Sequence, residues 1–163
     1  SAPLISVDLI LRRDDGRVLL GRRTNRPAQG FWFVPGGRIL KGERMAEALV
    51  RIVRRELGGA VPVTGWRGAG VFEHLYDDNF AGVEGVGTHY VVLPHCLDVS
   101  ADVVLAPDDQ HDALQWFAVP ELLARADVHP YTKAYFRTEG EGAAPTGNRC
   151  ALSGARGRGA QRP

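Results

Sequence analysis

The sequence predicts an α/β fold of the α+β kind, in which one mixed β-sheet is sandwiched between helices. Residues 4–11 alternate in the manner of a strand, with Ile, Val and Leu at every second position. Residues 44–57 form the clearest helix, because apolar side chains recur there at helical spacing: Met45, Leu49, Ile52, Val53 and Leu57. Strand-like runs precede and follow this helix, so we expect strands and helices to pack as layers of one core.

The other elements follow from turn signals and apolar runs. Asp14-Asp15-Gly16 predicts a turn, so residues 17–20 should return as the second strand of a hairpin. Residues 22–30 are polar and predict a loop, and residues 31–34 predict a short strand that Pro35-Gly36-Gly37 stops. The remaining predicted elements are strands at about 64–76, 86–98 and 114–118, loops at 77–85 and 106–112, and helices at 120–126 and about 130–137.

Length and composition limit the classes of function. The chain has 163 residues, of which 44% are apolar and 24% charged, which is typical of one globular domain. The net charge of +1 does not favour nucleic acid or a membrane surface as a partner. A polyanionic ligand would therefore have to meet locally placed cations. We predict a folded domain at residues 1–137 and a flexible tail rich in Gly, Ala and Arg at residues 138–163.

The sequence also suggests a cellular location. Cys96 lies in a strand-like run and Cys150 in the glycine-rich tail, so we expect no disulfide between them. No apolar run approaches the roughly 18 residues of a membrane span. The first residues lack the features of a secretory signal. We therefore expect a cytoplasmic protein.

The motif with the most chemical information runs from Gly37 to Gly58, GRILKGERMAEALVRIVRRELG. It resembles the Nudix box, with Gly37, Glu43, Arg51, Glu56 and Gly58 at the matching positions. The alternative, chance similarity in an ordinary amphipathic helix, is weak for five fixed positions across one loop and helix. The resemblance implies the Nudix fold and a metal-dependent hydrolase.

Two positions depart from the Nudix box. The box places three carboxylates on one helical face, where they bind a cluster of divalent cations through oxygen. Here those positions are Ile52, Arg55 and Glu56, so one carboxylate remains. A single carboxylate can bind one Mg²⁺ if other oxygen ligands complete the coordination shell.

This loss resembles the GDP-mannose mannosyl hydrolase branch of the superfamily. The similarity extends to RRTNRPAQGFWFVPGG at 22–37, HLYDDNF at 74–80, THYVVL at 88–93 and PDDQHD at 107–112, and it covers about residues 3–137. It implies one Mg²⁺ per subunit, for which Mn²⁺ can substitute. The implied metal ligands are the Gly37 carbonyl, the Glu56 carboxylate and the Gln110 side-chain amide.

The same resemblance implies roles for the other site residues. His111 would be the general base, and Arg23, Arg38, Arg51 and Tyr90 would contact the diphosphate. Asp8 would lie beside the sugar, and His74 would lie near the site in a role that the resemblance does not define. Asp8, Arg23 and Arg38 are expected to contribute to catalysis together with His111.

Plainer interpretations remain open for several of these residues. A histidine in a polar loop such as His111 is commonly only solvated. Asp8 interrupts an apolar strand, where a charge needs a partner or a function, but it could face water on a half-exposed strand. Arg51 could pair with Glu43 and fix the loop instead of contacting phosphate.

The resemblance implies hydrolysis of GDP-mannose, with GDP-glucose as a second substrate, to GDP and free hexose. Water would attack the anomeric carbon with inversion. The family also implies a homodimer, with no nucleic-acid or membrane partner. One alternative is a conventional Nudix pyrophosphatase that releases GMP and sugar 1-phosphate. A second alternative is a non-catalytic Nudix module that senses a nucleotide.

Overall fold

The structure, a computed structural model, describes residues 1–108 and 113–137. Its strands are β1 (Leu4–Arg13), β2 (Val18–Arg22), β3 (Trp32–Phe33), β4 (Gly36–Arg38), β5 (Arg67–Gly68), β6 (Phe72–Tyr76), β7 (Thr88–Val99) and β8 (Leu114–Phe117). Its helices are α1 (Met45–Leu57), α2 (Val119–Ala124) and α3 (Pro130–Ala134). The predicted mixed α/β architecture is confirmed.

Strand β1 lies at the centre of one mixed sheet. It runs parallel to β7 along its whole length and antiparallel to β2 and β4 on its other side. Strand β2 also pairs with β3 and β8, and β7 also pairs with β5 and β6, in every case antiparallel. Any side chain at the start of β1 is therefore close to β4 on one side and β7 on the other.

The side chains of β1 alternate between two cores on opposite faces of the sheet. Val7, Leu9 and Leu11 face helix α1 and are fully buried with its apolar residues. Ile10 faces the other core, which includes side chains of α2 and residues that follow α3. Helices thus cover both faces, and Asp8 shares its face with Ile10 because the two are two residues apart.

Helix α1 ends at the predicted residue, Leu57, and begins one residue later than predicted, with Arg44 as its N-cap. Glu47 accepts a hydrogen bond from the Arg44 backbone amide at 2.8 Å, which satisfies one of the free N–H groups at the helix start. Gly58 ends the helix with a φ of 97°, a conformation that favours glycine. Met45 was expected on the apolar face, but it is 49% exposed, and Ala48 is buried there instead.

Two other expectations were wrong in detail. The Gly36-Gly37 pair does not simply stop a strand, because residues 36–38 form β4 and pair with β1. The strand predicted at 64–76 is divided into β5 and β6, with Gly70 between them at a φ of 95°. The expectation that Cys96 and Cys150 form no disulfide concerns Cys150, which lies outside the described residues. Within the described residues, no helix is long and apolar enough to cross a bilayer.

Candidate functional site

A cavity of about 390 Å³ opens where β1, β4 and the end of α1 meet. It brings together seven of the ten predicted site residues, although they come from six separate parts of the chain: Asp8, Arg23, Gly37, Arg38, Glu56, His74 and Tyr90. The register explains the meeting point, because β1 pairs with β4 through Asp8 and Gly36. It also pairs with β7 from Leu4 opposite Tyr90 onward.

Asp8 lies half-buried in this cavity. The Tyr135 hydroxyl donates a hydrogen bond of 2.6 Å to Asp8 Oδ2. Burial raises the pKa of Asp8 to about 6, and the Tyr135 hydrogen bond and the charge of Arg23 offset this only in part. Asp8 therefore does not face bulk water as an ordinary surface aspartate would.

Arg23 projects into the cavity from the end of β2. Its guanidinium carbon lies 4.2 Å from the Phe33 ring centroid and 5.8 Å from that of Tyr76. Its Nη1 donates to the Pro27 carbonyl oxygen at 2.9 Å. No carboxylate within the described ranges forms an ion pair with it, so aromatic faces and a carbonyl orient a charge that stays available to an anion.

Arg38 and Tyr90 line the same cavity. Arg38 is exposed, and among residues 1–108 and 113–137 its guanidinium has neither an ion pair nor a hydrogen bond. Together with Arg23 it gives the cavity two cations that a diphosphate could contact.

His74 is a buried member of an aromatic group on the cavity wall. Its ring stacks on Tyr131 with the centroids 4.3 Å apart and the planes within 2°. Burial lowers the pKa of His74 to about 3, and the positive charges of His129 and Arg23 act in the same direction. His74 is thus a neutral ring at physiological pH and is not a cationic phosphate ligand.

Glu56 and Gly37 supply the oxygen atoms suited to a hard cation. Both line the cavity, and Arg55 lines it beside them. Burial raises the pKa of Glu56 to about 7, with Arg55 lowering it and Asp108 raising it further. Within the described ranges no group of three acidic, His or Cys side chains could hold a metal.

Ile52 does not occupy a ligand position in the cavity. It is 1% exposed and packs beneath Gly37, so that a Cβ on Gly37 would lie 3.1 Å from Ile52 Cγ1. The residue that replaces a carboxylate of the box has therefore become part of the core.

Arg51 lies outside the residues that line the cavity. Its Nε and Nη2 donate to the two carboxylate oxygens of Glu43 at 2.7 and 2.9 Å, and Nη2 also donates to the Arg38 carbonyl at 2.7 Å. This geometry agrees with the interpretation that Arg51 fixes the loop before α1. Its contact with a diphosphate stays a prediction.

Gln110 and His111 lie outside the described residues. The chain on both sides of them is anchored at the cavity. The backbone amides of Ala106 and Asp108 donate to the carbonyls of Leu57 and Arg55 at 3.0 and 3.1 Å, at the end of α1. The Arg22 amide donates to the Ala113 carbonyl at 3.2 Å.

Sequence reasoning missed Tyr135, Gly36 and the aromatic residues around Arg23. Tyr135 lies 127 residues from Asp8 in the chain, and no local pattern links the two. Gly36 was interpreted only as a strand stop. Phe33 and Tyr76 lie in the segments 22–37 and 74–80, which resemble the family, but an aromatic residue type alone does not reveal that its ring stacks on an arginine.

The comparison with protein families identifies the class. A model of the NUDIX domain family matches residues 2–138, so the chain belongs to the Nudix hydrolases. The solved MutT protein of Methanosarcina mazei Go1 has the same fold, with a TM-score of 0.63 and 26% identity over 83% of this chain and 92% of that one.

Two named proteins are similar to this chain in sequence. The low-salt glycan biosynthesis protein Agl8 of Haloferax volcanii is 42% identical over 136 residues, which is 83% of this chain and 81% of Agl8. The ADP-ribose pyrophosphatase of Methanocaldococcus jannaschii is 31% identical over 111 residues, which is 68% of this chain and 60% of that protein. The names associate similar sequences with glycan synthesis in one case and with a nucleotide-sugar substrate in the other.

Proposed function

We propose that this Nudix hydrolase cleaves GDP-mannose, and GDP-glucose as a second substrate, to GDP and free hexose. The observation that carries the proposal is the composition of the cavity. Helix α1 contributes a single carboxylate, Glu56, with Arg55 beside it, while a half-buried carboxylate, Asp8, stands on the central strand of the same cavity. A site that binds several cations to attack phosphorus needs more carboxylates on the helix than this one has.

One Mg²⁺ fits the donor set. Glu56 and the Gly37 carbonyl would hold it, together with the predicted ligand Gln110, and Mn²⁺ could replace it. When bound, the cation supplies Lewis-acid stabilisation of the charge that develops on the leaving diphosphate.

The protein's own side chains are proposed to divide the remaining work. Arg23 and Arg38 contact the diphosphate, and Tyr90 donates a hydrogen bond to it from its hydroxyl. Arg51 donates to the Arg38 carbonyl and so supports the end of β4. Asp8 lies beside the sugar, where a carboxylate stabilises positive charge on the ring. His74, a neutral ring, shapes the wall on which the substrate rests.

The reaction is written as a displacement at carbon. A water oxygen bonds to the anomeric carbon as the bond from that carbon to the β-phosphate oxygen breaks, and GDP departs with the electron pair. His111, as general base, takes the proton of the attacking water from the face opposite the leaving group. This geometry inverts the anomeric configuration.

Relatives support both the main proposal and its competitor. The similarity to Agl8, a glycan biosynthesis protein, favours a sugar-bearing substrate. The similarity to an ADP-ribose pyrophosphatase favours the competing chemistry, in which water attacks phosphorus and yields GMP and sugar 1-phosphate.

Hydrolysis of GDP-mannose in ¹⁸O-labelled water with Mg²⁺ separates these possibilities. We expect the products to be GDP and free mannose that carries the heavy oxygen. NMR should show that the mannose first formed is the inverted anomer. GMP as product, or heavy oxygen in the nucleotide, would establish the pyrophosphatase instead. Binding without turnover, unchanged in Glu56→Gln, would favour the nucleotide-sensing module.

We also propose that residues 1–137 form the catalytic domain and that residues 138–163 are a tail dispensable for catalysis. The protein is proposed to work as a homodimer without nucleic acid. Its proposed location is the cytoplasm. Light scattering of the full chain and of a chain ending at Arg137 measures the oligomeric state. Turnover by the same two proteins tests the domain boundary and whether the tail is dispensable. A monomer with full activity would refute the dimer, and loss of turnover on truncation would refute the domain boundary.

A further inference from the structure

Tyr135 touches the candidate site without lining the cavity. It lies directly after α3, is 3% exposed, and packs edge-on against Phe72 with the ring centroids 4.9 Å apart. Its hydroxyl donates to Asp8 Oδ2 at 2.6 Å, the short distance typical of a hydroxyl bonded to a carboxylate. The bond links the residue directly after α3 to the central strand of the sheet.

The two oxygens of Asp8 have different surroundings. Oδ2 is occupied by the Tyr135 hydroxyl. Oδ1 lies against Gly36, close enough that a Cβ there would approach it to 2.5 Å. Among the described residues, Oδ1 accepts no hydrogen bond. Asp8 is therefore fixed by one oxygen, and the other is left for a ligand in the cavity.

We infer that Tyr135 is a positioning residue that orients the Asp8 carboxylate toward the sugar, so that Oδ1 is presented to a sugar hydroxyl. This inference rests on the proposed function. It adds a residue from outside the cavity to the machinery, and it gives the end of α3 a role in sugar recognition.

The competing interpretation is that the Tyr135 hydroxyl is only a buried polar group that needs a partner. The two interpretations predict different effects on substrate recognition by Asp8 when the Tyr135 hydroxyl is removed. If Tyr135 merely satisfies its own hydroxyl, a phenylalanine would leave substrate recognition intact. If it orients Asp8, the same change frees the carboxylate to rotate and weakens only the contacts that Asp8 makes.

The ionisation of Asp8 provides a second difference. Among the residues that the structure describes, the groups that act electrostatically on Asp8, or that its charge acts on, are Tyr135 beyond α3, Arg23 after β2 and Tyr76 on β6. The Tyr135 hydrogen bond lowers the pKa of Asp8, opposing the effect of burial. Its removal should therefore shift the protonation of Asp8 to higher pH.

The test is Tyr135→Phe, with Tyr131→Phe as matched control. Tyr131 belongs to α3 and donates its hydroxyl to the Leu75 carbonyl at 2.7 Å, so the control also removes one hydroxyl from this region. For GDP-mannose we expect kcat/KM to fall roughly 10- to 100-fold in Tyr135→Phe, the range for a hydrogen bond to a charged group. The control should change it by less than about threefold.

Two further measurements exclude a merely structural effect. In an Asp8→Asn background, Tyr135→Phe should cost less than about threefold, because both changes act through the same side chain. In protein with ¹³C-labelled aspartate carboxyls, the Asp8 signal, assigned through Asp8→Asn, should titrate at higher pH in Tyr135→Phe than in wild type. The NMR titration is independent of turnover.

The inference fails if Tyr135→Phe is no worse than Tyr131→Phe, if its loss persists in the Asp8→Asn background, or if the Asp8 titration does not move. These results can be separated from failure of the proposed function. A wild-type protein that neither hydrolyses nor binds GDP-mannose refutes the function itself, and with it any sugar contact of Asp8. Normal wild-type turnover with an unaffected Tyr135→Phe variant refutes only the role of Tyr135.

Discussion

Replacement of Gly36 by alanine tests how strand β4 builds the site. A Cβ at residue 36 would lie 2.6 Å from the Val7 carbonyl oxygen and 2.5 Å from Asp8 Oδ1. Val7 belongs to the central strand, which pairs along its length with β7, so its backbone cannot shift cheaply. Overpacking costs about 1–3 kcal/mol, and the rigid neighbour places this site in the upper half of that range.

Alanine also restricts the unfolded chain, which offsets about 0.4–1 kcal/mol. We therefore expect Gly36→Ala to lower the free energy of unfolding by about 1–2.5 kcal/mol, which corresponds to a fall of roughly 2–10 °C in Tm for a chain of this size. Because the new methyl group meets Asp8, kcat/KM should also fall at least about tenfold, as when a catalytic group is displaced.

Calorimetry and steady-state kinetics provide the two measurements, with Gly59→Ala as control. A Cβ at Gly59 meets no atom within 4 Å, and its φ is not left-handed, so this variant should be as stable as wild type and fully active. Wild-type stability in Gly36→Ala would refute the close pairing of β4 with β1. A stability loss with unchanged kinetics would separate β4 packing from the position of Asp8.

Three other predictions address the helix and the loops. Burial raises the pKa of Glu56 from 4.5 to about 7, so the metal-free protein should lose stability, by at most about 3 kcal/mol, as pH rises from 4.5 through 7. In thermal melts Mg²⁺ should stabilise the protein more at pH 8 than at pH 6, because it binds the ionised carboxylate. Glu56→Gln should abolish both pH effects. Arg51→Lys, which cannot reproduce the paired hydrogen bonds to Glu43, should lower kcat/KM more than Arg54→Lys, an exposed change on the same helix, and equal kinetics would refute loop bracing. His111→Leu should lower kcat roughly 10²–10⁴-fold with little change in GDP affinity by calorimetry, and an unaltered pH profile would remove His111 from the mechanism.

The parts of the fold that sequence could predict are those with a local signal. Helix α1 was found because its apolar spacing and the glycine at residue 58 agree within one short segment. Asp8 was singled out because a charge inside an apolar strand is costly, and the structure places it in the cavity. Strand β4 carried no such signal, because two glycines and an arginine have little strand propensity and pair only when β1 is present.

The partners of the site residues depended on long-range geometry. Arg51 had two plausible partners in the sequence, and the structure shows that its guanidinium binds one of them, Glu43 on the preceding loop. Tyr135, just after α3, forms a hydrogen bond with Asp8 that neither residue type nor periodicity encodes. Sequence could therefore identify many candidate groups, while the contacts of Arg51 and Tyr135 had to come from the fold.

The two departures from the Nudix box form one coherent electrostatic change. Among the described residues that line the cavity, four arginines face two carboxylates, and Ile52 has moved into the core beneath Gly37. On the helix side the cavity is lined by one arginine and one carboxylate, Arg55 and Glu56, which fits the proposed contact of arginines with a diphosphate. Both P–O–P hydrolysis and sugar release would profit from that contact, because each leaves more negative charge on phosphate. Asp8 distinguishes them: a fixed carboxylate repels an anionic phosphate but stabilises a sugar ring that becomes positive, so its presence in the same cavity favours cleavage at carbon.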